Sequence, residues 1–173
     1  MDAPALHERL EPLSFLLGTW RGLGVVGYPT IQERRYEQEV VFAHDGRPFL
    51  EYTSRTCLLD DDGARLRAGA REAGWWRPGR EPHDVELLVA HPTGIVEVYV
   101  GEVTFSKIEL RTDVVARTET AKAVTALHRL YGLVDGDLAY AVDLAAVGQP
   151  LQPHLSARLK RVPDEDRARS GRE

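Results

Sequence analysis

Several features that mark common protein classes are missing from this sequence of 173 residues. It has a single cysteine, Cys57, which excludes an internal disulfide framework and fits a reducing compartment. No apolar stretch is long enough to cross a bilayer, and the first residues lack the pattern of a signal peptide. The net charge of −5 argues against a nucleic-acid partner bound through a basic surface. We therefore expect a cytoplasmic protein that binds neither nucleic acid nor membrane.

The motifs of classical catalysis are missing as well. The chain has no Gly-x-Ser-x-Gly, His-Glu-x-x-His or Cys-x-x-Cys sequence. The acidic run at residues 60–63 is predicted to be a hairpin tip rather than a calcium loop, because Arg65 and Arg67 occupy later ligand positions. No two histidines have a spacing that suggests a shared metal site.

What the chain does contain is a long series of alternating apolar and polar residues, the period of β-strands. Clear examples are residues 33–43, 84–91 and 95–103, and short turns separate them, including three Asp-Gly pairs. About ten such strands, with no long helix between them, predict an all-β, antiparallel, up-and-down sheet. Closure removes the exposed edges of such a sheet, so we expect a barrel, with a closed sandwich as the alternative.

The two termini depart from this pattern. Four leucines follow nearly helical spacing close to the N-terminus: Leu6, Leu10, Leu13 and Leu17. Pro12 interrupts them, so we expect one or two short helical turns that could lie across the end of another element. The tail, residues 163–173, is charged and lacks apolar anchors, and we predict that it is disordered. The remainder, residues 1–162, is expected to form one β-barrel domain.

Glycines recur at every second position in the first strand, at Gly18, Gly22 and Gly24 with Trp20 between them. One face of the strand therefore lacks side chains, which permits either sharp bending of the barrel or close approach of a flat ligand. From the residues alone, a barrel corner with Trp20 plugging one end is favoured.

Three polar residues are candidates for ligand binding. His154 follows a turn with two prolines, and a neutral imidazole nitrogen is a common metal ligand, although most histidines are surface or packed residues. Lys122 could pair with an anionic group or be a solvated surface lysine. Thr30 could point into the barrel mouth or bond to its own turn. Strict alternation groups His154 with Ser156 on the solvent side, so metal binding requires that face to turn inward or the strand to begin after the histidine.

With these motifs set out, the sequence resembles the nitrobindin family of small β-barrel haem proteins. The matching segments follow the same order over roughly residues 13–161 and include FLLGTWRGLG (15–24), YPTI (28–31), VELLVAHPTG (85–94), TAK (120–122) and AVGQPLQPHLSA (146–157). The resemblance implies a ten-stranded antiparallel barrel, related to fatty-acid-binding proteins and lipocalins, with one haem b near its mouth.

Carried over residue by residue, the resemblance implies that His154 is the axial ligand of the haem iron and that Thr30 and Lys122 lie beside the haem. It implies a ferric protein that binds nitric oxide and isomerises peroxynitrite to nitrate, and a homodimer is left open. Two departures concern the distal side: Val26 replaces a frequent glycine, and Ala70 replaces the histidine of a Leu-His-x-Glu-x-Gly motif.

The alternative function is a haem-free carrier of a fatty acid or another small apolar anion. Barrel cavities often serve this purpose. In that case Lys122 and interior arginines would neutralise the carboxylate of the bound molecule.

Overall fold

The computed structural model describes residues 4–163, so the tail predicted to be disordered lies, except for Pro163, outside the described residues. The described chain forms a 3₁₀ helix followed by ten strands. These elements are the helix Glu8–Leu16, β1 (Gly18–Tyr28), β2 (Ile31–Ala43), β3 (Leu50–Leu59), β4 (Arg65–Pro78), β5 (Asp84–His91), β6 (Ile95–Thr104), β7 (Lys107–Arg117), β8 (Val124–Val134), β9 (Asp137–Ala146) and β10 (Gln152–Arg161).

Each strand pairs with its neighbours in sequence, and β1 pairs with β10 to close the sheet, in the order β1-β10-β9-β8-β7-β6-β5-β4-β3-β2. The predicted ten-stranded antiparallel barrel is therefore confirmed, and the sandwich alternative is wrong. Five steps around the barrel lead from β10 to β5 in either direction, so these two strands face each other across the interior. None of the described helices is long and apolar enough to span a membrane.

The turns that the sequence predicted at its Asp-Gly pairs are present at residues 135–136 and 60–63. Asp135 and Gly136 form the two-residue connection between β8 and β9, with φ angles of 52° and 82°. Two consecutive positive φ angles match the twist of a tight hairpin, which explains the Asp-Gly pair. At the tip between β3 and β4, the Asp60 carboxylate accepts hydrogen bonds from the backbone N–H groups of Asp62 (3.0 Å) and Ala64 (2.8 Å). The predicted hairpin tip is confirmed.

The 3₁₀ helix closes one end of the barrel, which we call the capped end. Its Leu10, Leu13 and Leu16 are buried, and the fully buried Trp20 donates its indole N–H to the Leu16 carbonyl over 2.7 Å. The helix runs through Pro12 rather than stopping there. The expected short helical turns thus form one nine-residue element, and Trp20 plugs this end as predicted.

The opposite end, which we call the uncapped end, is formed by the connections 29–30, 60–64, 92–94, 118–123 and 147–151. No helix of the described chain, residues 4–163, lies across it. Antiparallel strands alternate in direction, so the last residues of β1 and β5 and the first residues of β8 and β10 all meet at this end. The residues singled out as ligand-binding candidates therefore gather here.

Candidate functional site

His154 lies at a β-bulge near the uncapped end of β10. The pairing between β10 and β9 shifts between Pro153 and Leu155, so the residue between them has no partner of its own on β9. The strand begins at Gln152, so a start after the histidine, one of the two conditions under which metal binding fits the alternation, is not met. The bulge instead interrupts the alternation at His154 itself, which is why the strict period does not describe this residue.

The hydrogen bonding of His154 determines which ring nitrogen can bind a metal. Its Nδ1 lies 3.0 Å from the carbonyl oxygen of Gly27. A carbonyl oxygen only accepts hydrogen bonds, so Nδ1 must carry the proton and Nε2 must keep its lone pair in the neutral ring. Within residues 4–163, Nε2 has no hydrogen-bond partner. Metal-bound histidines commonly donate their other ring N–H to a backbone carbonyl in this way.

The surroundings of His154 favour its neutral form. Burial lowers the pKa of the imidazole, the Gly27 carbonyl opposes that effect, and the positive charge of Lys122 lowers the pKa further. The ring also packs edge-on against Tyr28, with 5.5 Å between centroids and 82° between planes. The imidazole is thus held in one orientation and is unprotonated near neutral pH.

An open cavity of about 550 Å³ lies beside His154. Its volume falls in the range of about 300–1,000 Å³ that small-molecule sites usually have. Apolar side chains supply much of the lining, among them Val25, Tyr28, Pro29, Ile31 and Leu155.

The other two candidate residues lie close to this cavity. Lys122 is exposed in the connection 118–123, which precedes the first residue of β8, Val124. Its positive charge is close enough to His154 to add to the effect of burial, which lowers the pKa of that imidazole. Thr30 is exposed in the turn between β1 and β2, and both of its neighbours line the cavity. The structure therefore brings Thr30, Lys122 and His154 to the same end of the barrel.

The glycines of β1 serve the barrel wall. A Cβ at Gly22 would overlap the backbone carbonyl of Arg158, and a Cβ at Gly24 would overlap the ring of Tyr36 and the backbone of Ser156. Gly18, with a φ of 118°, begins the strand next to the 3₁₀ helix. These positions require glycine for close packing of neighbouring strands and of an interior tyrosine, which agrees with the barrel-corner interpretation.

The two positions at which the chain departs from the nitrobindin pattern, Val26 and Ala70, occupy different environments. Val26 pairs with Leu155 of β10 and packs partly buried against the core. Ala70 is exposed and sits where the β3–β4 register shifts, and its carbonyl accepts a hydrogen bond from Thr56. Valine thus adds bulk next to the residue that follows His154, whereas alanine leaves the wall of β4 without a polar side chain at this position.

A charged cluster inside the barrel was not anticipated from the sequence. Arg129 makes a bidentate pair with Glu72, at 2.9 and 3.0 Å, and also lies 3.1 Å from Glu97. Three tyrosine hydroxyls complete the cluster: Tyr52 donates to Glu72, Tyr99 donates to Glu97 and accepts from Arg129, and Tyr131 accepts from Arg129. Buried charges persist only when paired and hydrogen-bonded in this manner.

The cluster controls the protonation of its members. Burial alone would raise the pKa of Glu72, but the charge and hydrogen bonds of Arg129 outweigh burial and lower it to about 2. The sequence did hold a signal: Glu97 stands between Ile95 and Tyr99 on the buried face of β6, and Arg129 stands between Leu127 and Tyr131 on that of β8. A charge on an apolar face indicates a buried partner.

The donor set around His154 fits haem. Among residues 4–163, no group of three or more His, Cys, Asp or Glu side chains is placed to hold a metal ion. A haem iron needs only an axial ligand from the protein, because the porphyrin supplies the other nitrogens. A single imidazole with an available Nε2, beside a largely apolar cavity and a lysine, meets that requirement. The fold and this site define a small antiparallel β-barrel of the haem-binding type.

Comparison with known families agrees with that class. The model of the family described as "THAP4-like, heme-binding beta-barrel domain" matches residues 9–161. The chain therefore belongs to this family, and the resemblance to nitrobindins seen in the sequence is confirmed.

Similar proteins cover nearly the whole chain. A peroxynitrite isomerase of Nocardioides sp. is 54% identical over 156 residues, covering 90% of this chain and 94% of its own length. A peroxynitrite isomerase of Salinispora tropica is 50% identical, covering 92% and 83%, and a ferric nitrobindin-like protein of Kineococcus radiotolerans is 49% identical, covering 88% and 93%. The crystal structure of Rv2717c from M. tuberculosis superposes with a TM-score of 0.82 at 46% identity, covering 92% of this chain and 100% of that one.

Proposed function

We propose that this protein carries one ferric haem b per chain, binds nitric oxide and isomerises peroxynitrite to nitrate. His154 Nε2 is the axial ligand of the iron. The observation that carries the proposal is the bond between His154 Nδ1 and the Gly27 carbonyl, since it fixes the tautomer that leaves Nε2 available.

The remaining residues of the site hold and orient the haem. The ammonium group of Lys122 neutralises a haem carboxylate, for which a flexible point charge is suited. The hydroxyl of Thr30, on the turn between Pro29 and Ile31, offers a hydrogen bond at the rim. Val25, Tyr28 and Leu155 supply apolar surface for the ring. The glycines of the first strand contribute indirectly, by shaping the wall that carries Gly27.

When bound, the haem supplies the iron at which nitric oxide and peroxynitrite react. The protein contributes a neutral imidazole, whose lowered pKa keeps Nε2 unprotonated. Relatives of about 50% identity that are named peroxynitrite isomerase support this assignment.

The structure weighs against one part of the haem-free carrier, in which Lys122 and interior arginines neutralise the carboxylate of the bound molecule. Lys122 is exposed at the uncapped end, whereas the interior Arg129 is not free for this purpose. The buried Arg129 is already paired with both Glu72 and Glu97, and its Nε donates to Tyr99. A fatty acid would have to displace an internal carboxylate from a bidentate pair, which is costly in a buried site.

The proposal is tested by titrating the purified chain with haemin and recording the Soret band. We expect one haem per wild-type chain, a spectral change on adding nitric oxide, and faster loss of peroxynitrite with nitrate as product. His154→Ala should abolish the stoichiometric binding. His83→Ala is the matched control, because His83 is an exposed histidine at the capped end. Absence of haem uptake by the wild type, or equal uptake by both variants, would refute the assignment.

Two further expectations remain proposals. We propose that residues 1–162 act as a single domain, which limited proteolysis followed by mass spectrometry would test. We propose a cytoplasmic location, which cell fractionation would test. The oligomeric state stays open between a monomer and a homodimer, and light scattering of the haem-loaded chain would distinguish the mass of one chain from that of two.

A further inference from the structure

His91 is a second histidine at the uncapped end, and its side chain faces the interior. It is the last residue of β5, on the same face as the buried Val85, Leu87 and Val89. Its Nε2 lies 2.9 Å from an oxygen of Glu97, with only 15% of the side chain exposed. The nitrogen and oxygen are not aligned for a hydrogen bond, so the contact is electrostatic.

The barrel topology places His91 opposite His154. The strands β5 and β10 are five steps apart in both directions around the barrel, and each contributes its histidine at the uncapped end. The intervening connections also touch. The Thr118 N–H donates to the Gly94 carbonyl over 2.9 Å, three residues beyond His91, and the same connection carries Lys122, whose charge reaches His154. The two histidines therefore lie at the same end of the barrel, on opposite strands.

The charges around His91 favour its protonated form. From β4 and β6 the carboxylates of Glu72 and Glu97 face it, and from β8 the guanidinium of Arg129, which both carboxylates share. Two carboxylates and one guanidinium leave one negative charge without compensation inside the barrel. Burial lowers the pKa of His91, but the attraction of Glu97 and Glu72 outweighs burial and Arg129, and the pKa is raised. The phenol groups of Tyr52, Tyr99 and Tyr131 complete these surroundings.

One ring nitrogen of His91 is left for a ligand. Nε2 faces Glu97, while Nδ1 has no hydrogen-bond partner among residues 4–163. A protonated imidazole has an N–H at both positions. The Nδ1–H is then a charged donor at the uncapped end, on the side of the barrel where Ala70 offers no polar group.

We propose that His91 is an anion-binding residue of the site, which keeps a proton with the help of Glu97 and donates its Nδ1–H to the anionic ligand from the side opposite His154. This inference rests on the proposed function, because that function brings the ligand to the His154 site. On this proposal His91 of β5 supplies the polar group that Ala70 of β4 lacks. It also gives peroxynitrite, an anion, a charged partner at the uncapped end.

The first experiment uses the haem-free chain and follows the histidine rings by NMR as the pH is raised. We expect the pKa of the His91 ring to lie above the ordinary histidine value of about 6.5. Glu97→Gln should lower the His91 pKa, because it removes the nearest negative charge and retains the imidazole. If the wild-type His91 titrates at or below about 6.5, the proposal is overturned.

The second experiment uses the haem-loaded chain with fluoride as the probe, an anion that accepts hydrogen bonds and is detected by absorbance. We expect His91→Gln to bind fluoride about ten-fold more weakly than the wild type below pH 6.5, which corresponds to the 1.4 kcal/mol of one modest charge-assisted hydrogen bond. As the pH rises through the raised His91 pKa, the wild type should approach the variant. His83→Gln is the control and should follow the wild type at every pH.

The outcomes separate the two proposals. If the wild type takes up haem and His91→Gln binds fluoride as tightly as the wild type, the role of His91 is wrong and the haem function stands. If the wild type takes up no haem, both the proposed function and this inference fail. If His91→Gln does not fold, Glu97→Gln takes its place, and unchanged fluoride affinity in a folded Glu97→Gln with a lowered His91 pKa would overturn the proposal.

Discussion

The two ends of the barrel differ in the side chains that they bring together. At the capped end, large apolar side chains fill the interior: three leucines of the 3₁₀ helix cover the fully buried Trp20, whose only polar atom is satisfied by the Leu16 carbonyl. At the uncapped end, polar groups are brought together instead: His154 lies beside a cavity, and Lys122 and His91 lie at the same end of the barrel. One end therefore supplies stability, and the other is free to supply chemistry.

The charged cluster lies between these two regions. Arg129, Glu72 and Glu97 satisfy one another through direct contacts. A buried cluster of this kind contributes little net stability when intact but becomes costly when one member is removed. The cluster thus separates the apolar core from the functional site. Changes at the capped end, in the cluster and at the uncapped end should therefore have separable effects.

The largest expected effect is at the capped end. Trp20→Ala should lower the free energy of unfolding by about 5 kcal/mol, at the upper end for a buried aromatic side chain, because the variant also loses the hydrogen bond to Leu16 and the contact with Arg161. Urea denaturation of the haem-free chain measures this loss. Trp75→Ala, at a 49% exposed tryptophan of β4, is the control and should change the value by less than about 0.5 kcal/mol. Equal losses in the two variants would contradict the comparison.

Arg129→Leu should lower the free energy of unfolding by about 3–5 kcal/mol, because it leaves two buried carboxylates without their shared cation. The pH dependence has a definite sign. In the wild type the pKa of Glu72 is lowered to about 2, so its stabilising contribution is complete above pH 4.5 and is lost as the pH falls toward 2. In the variant the carboxylates protonate more readily, so its deficit relative to the wild type should shrink from pH 7 to pH 4.5 in urea titrations. A constant deficit would show that the lost interaction is not electrostatic.

A smaller loss of stability is expected in the wall of the barrel. Gly24→Ala should lower the free energy of unfolding by about 1–3 kcal/mol, because its methyl group would overlap the Tyr36 ring and the Ser156 carbonyl. Gly27→Ala is the matched control on the same strand, since a Cβ there meets its nearest atom, in Glu33, at 3.5 Å, and the carbonyl that holds His154 is retained. Thermal unfolding and haem titration should show only a small change for Gly27→Ala. Loss of haem binding in that variant with normal stability would place the methyl group in the site.

The smallest effect on stability belongs to the exposed residues of the uncapped end. Lys122→Ala should change the free energy of unfolding by less than about 0.5 kcal/mol yet weaken haem binding a few-fold, since an exposed ion pair is worth about 0.2–1 kcal/mol. Competition for haem with apomyoglobin would measure the change. Lys160→Ala, an exposed lysine near the capped end of the same barrel, should leave haem affinity unaltered. If Lys160→Ala has the same effect as Lys122→Ala, the contribution is only one of net charge.

The sequence predicted the elements of the fold well because their causes are local. Alternation along each strand, the Asp-Gly turn at residues 135–136 and the glycines of β1 all act through neighbouring residues or backbone angles. The error at His154 also has a local cause, since a single bulge there invalidated the strict period.

The candidate site was predicted through resemblance and motif rather than by physical reasoning from the residues. Nothing in the sequence around His154 shows that its Nδ1 meets the Gly27 carbonyl, 127 residues away. The interior cluster was missed for a similar reason, since Glu72, Glu97 and Arg129 come from three different strands. Only their placement on apolar faces was visible beforehand.

The sequence by itself thus determined an antiparallel barrel of ten strands, the turns that connect them and a capped end filled by leucines and Trp20. The tertiary structure decided which groups meet: the tautomer of His154, the sharing of Arg129 by two carboxylates, and the placement of His91 across the barrel from His154. The physical reason is the range of the interactions. Strand periodicity and turn geometry act within a few residues, whereas the protonation and pairing of buried polar groups depend on strands that only barrel closure brings together.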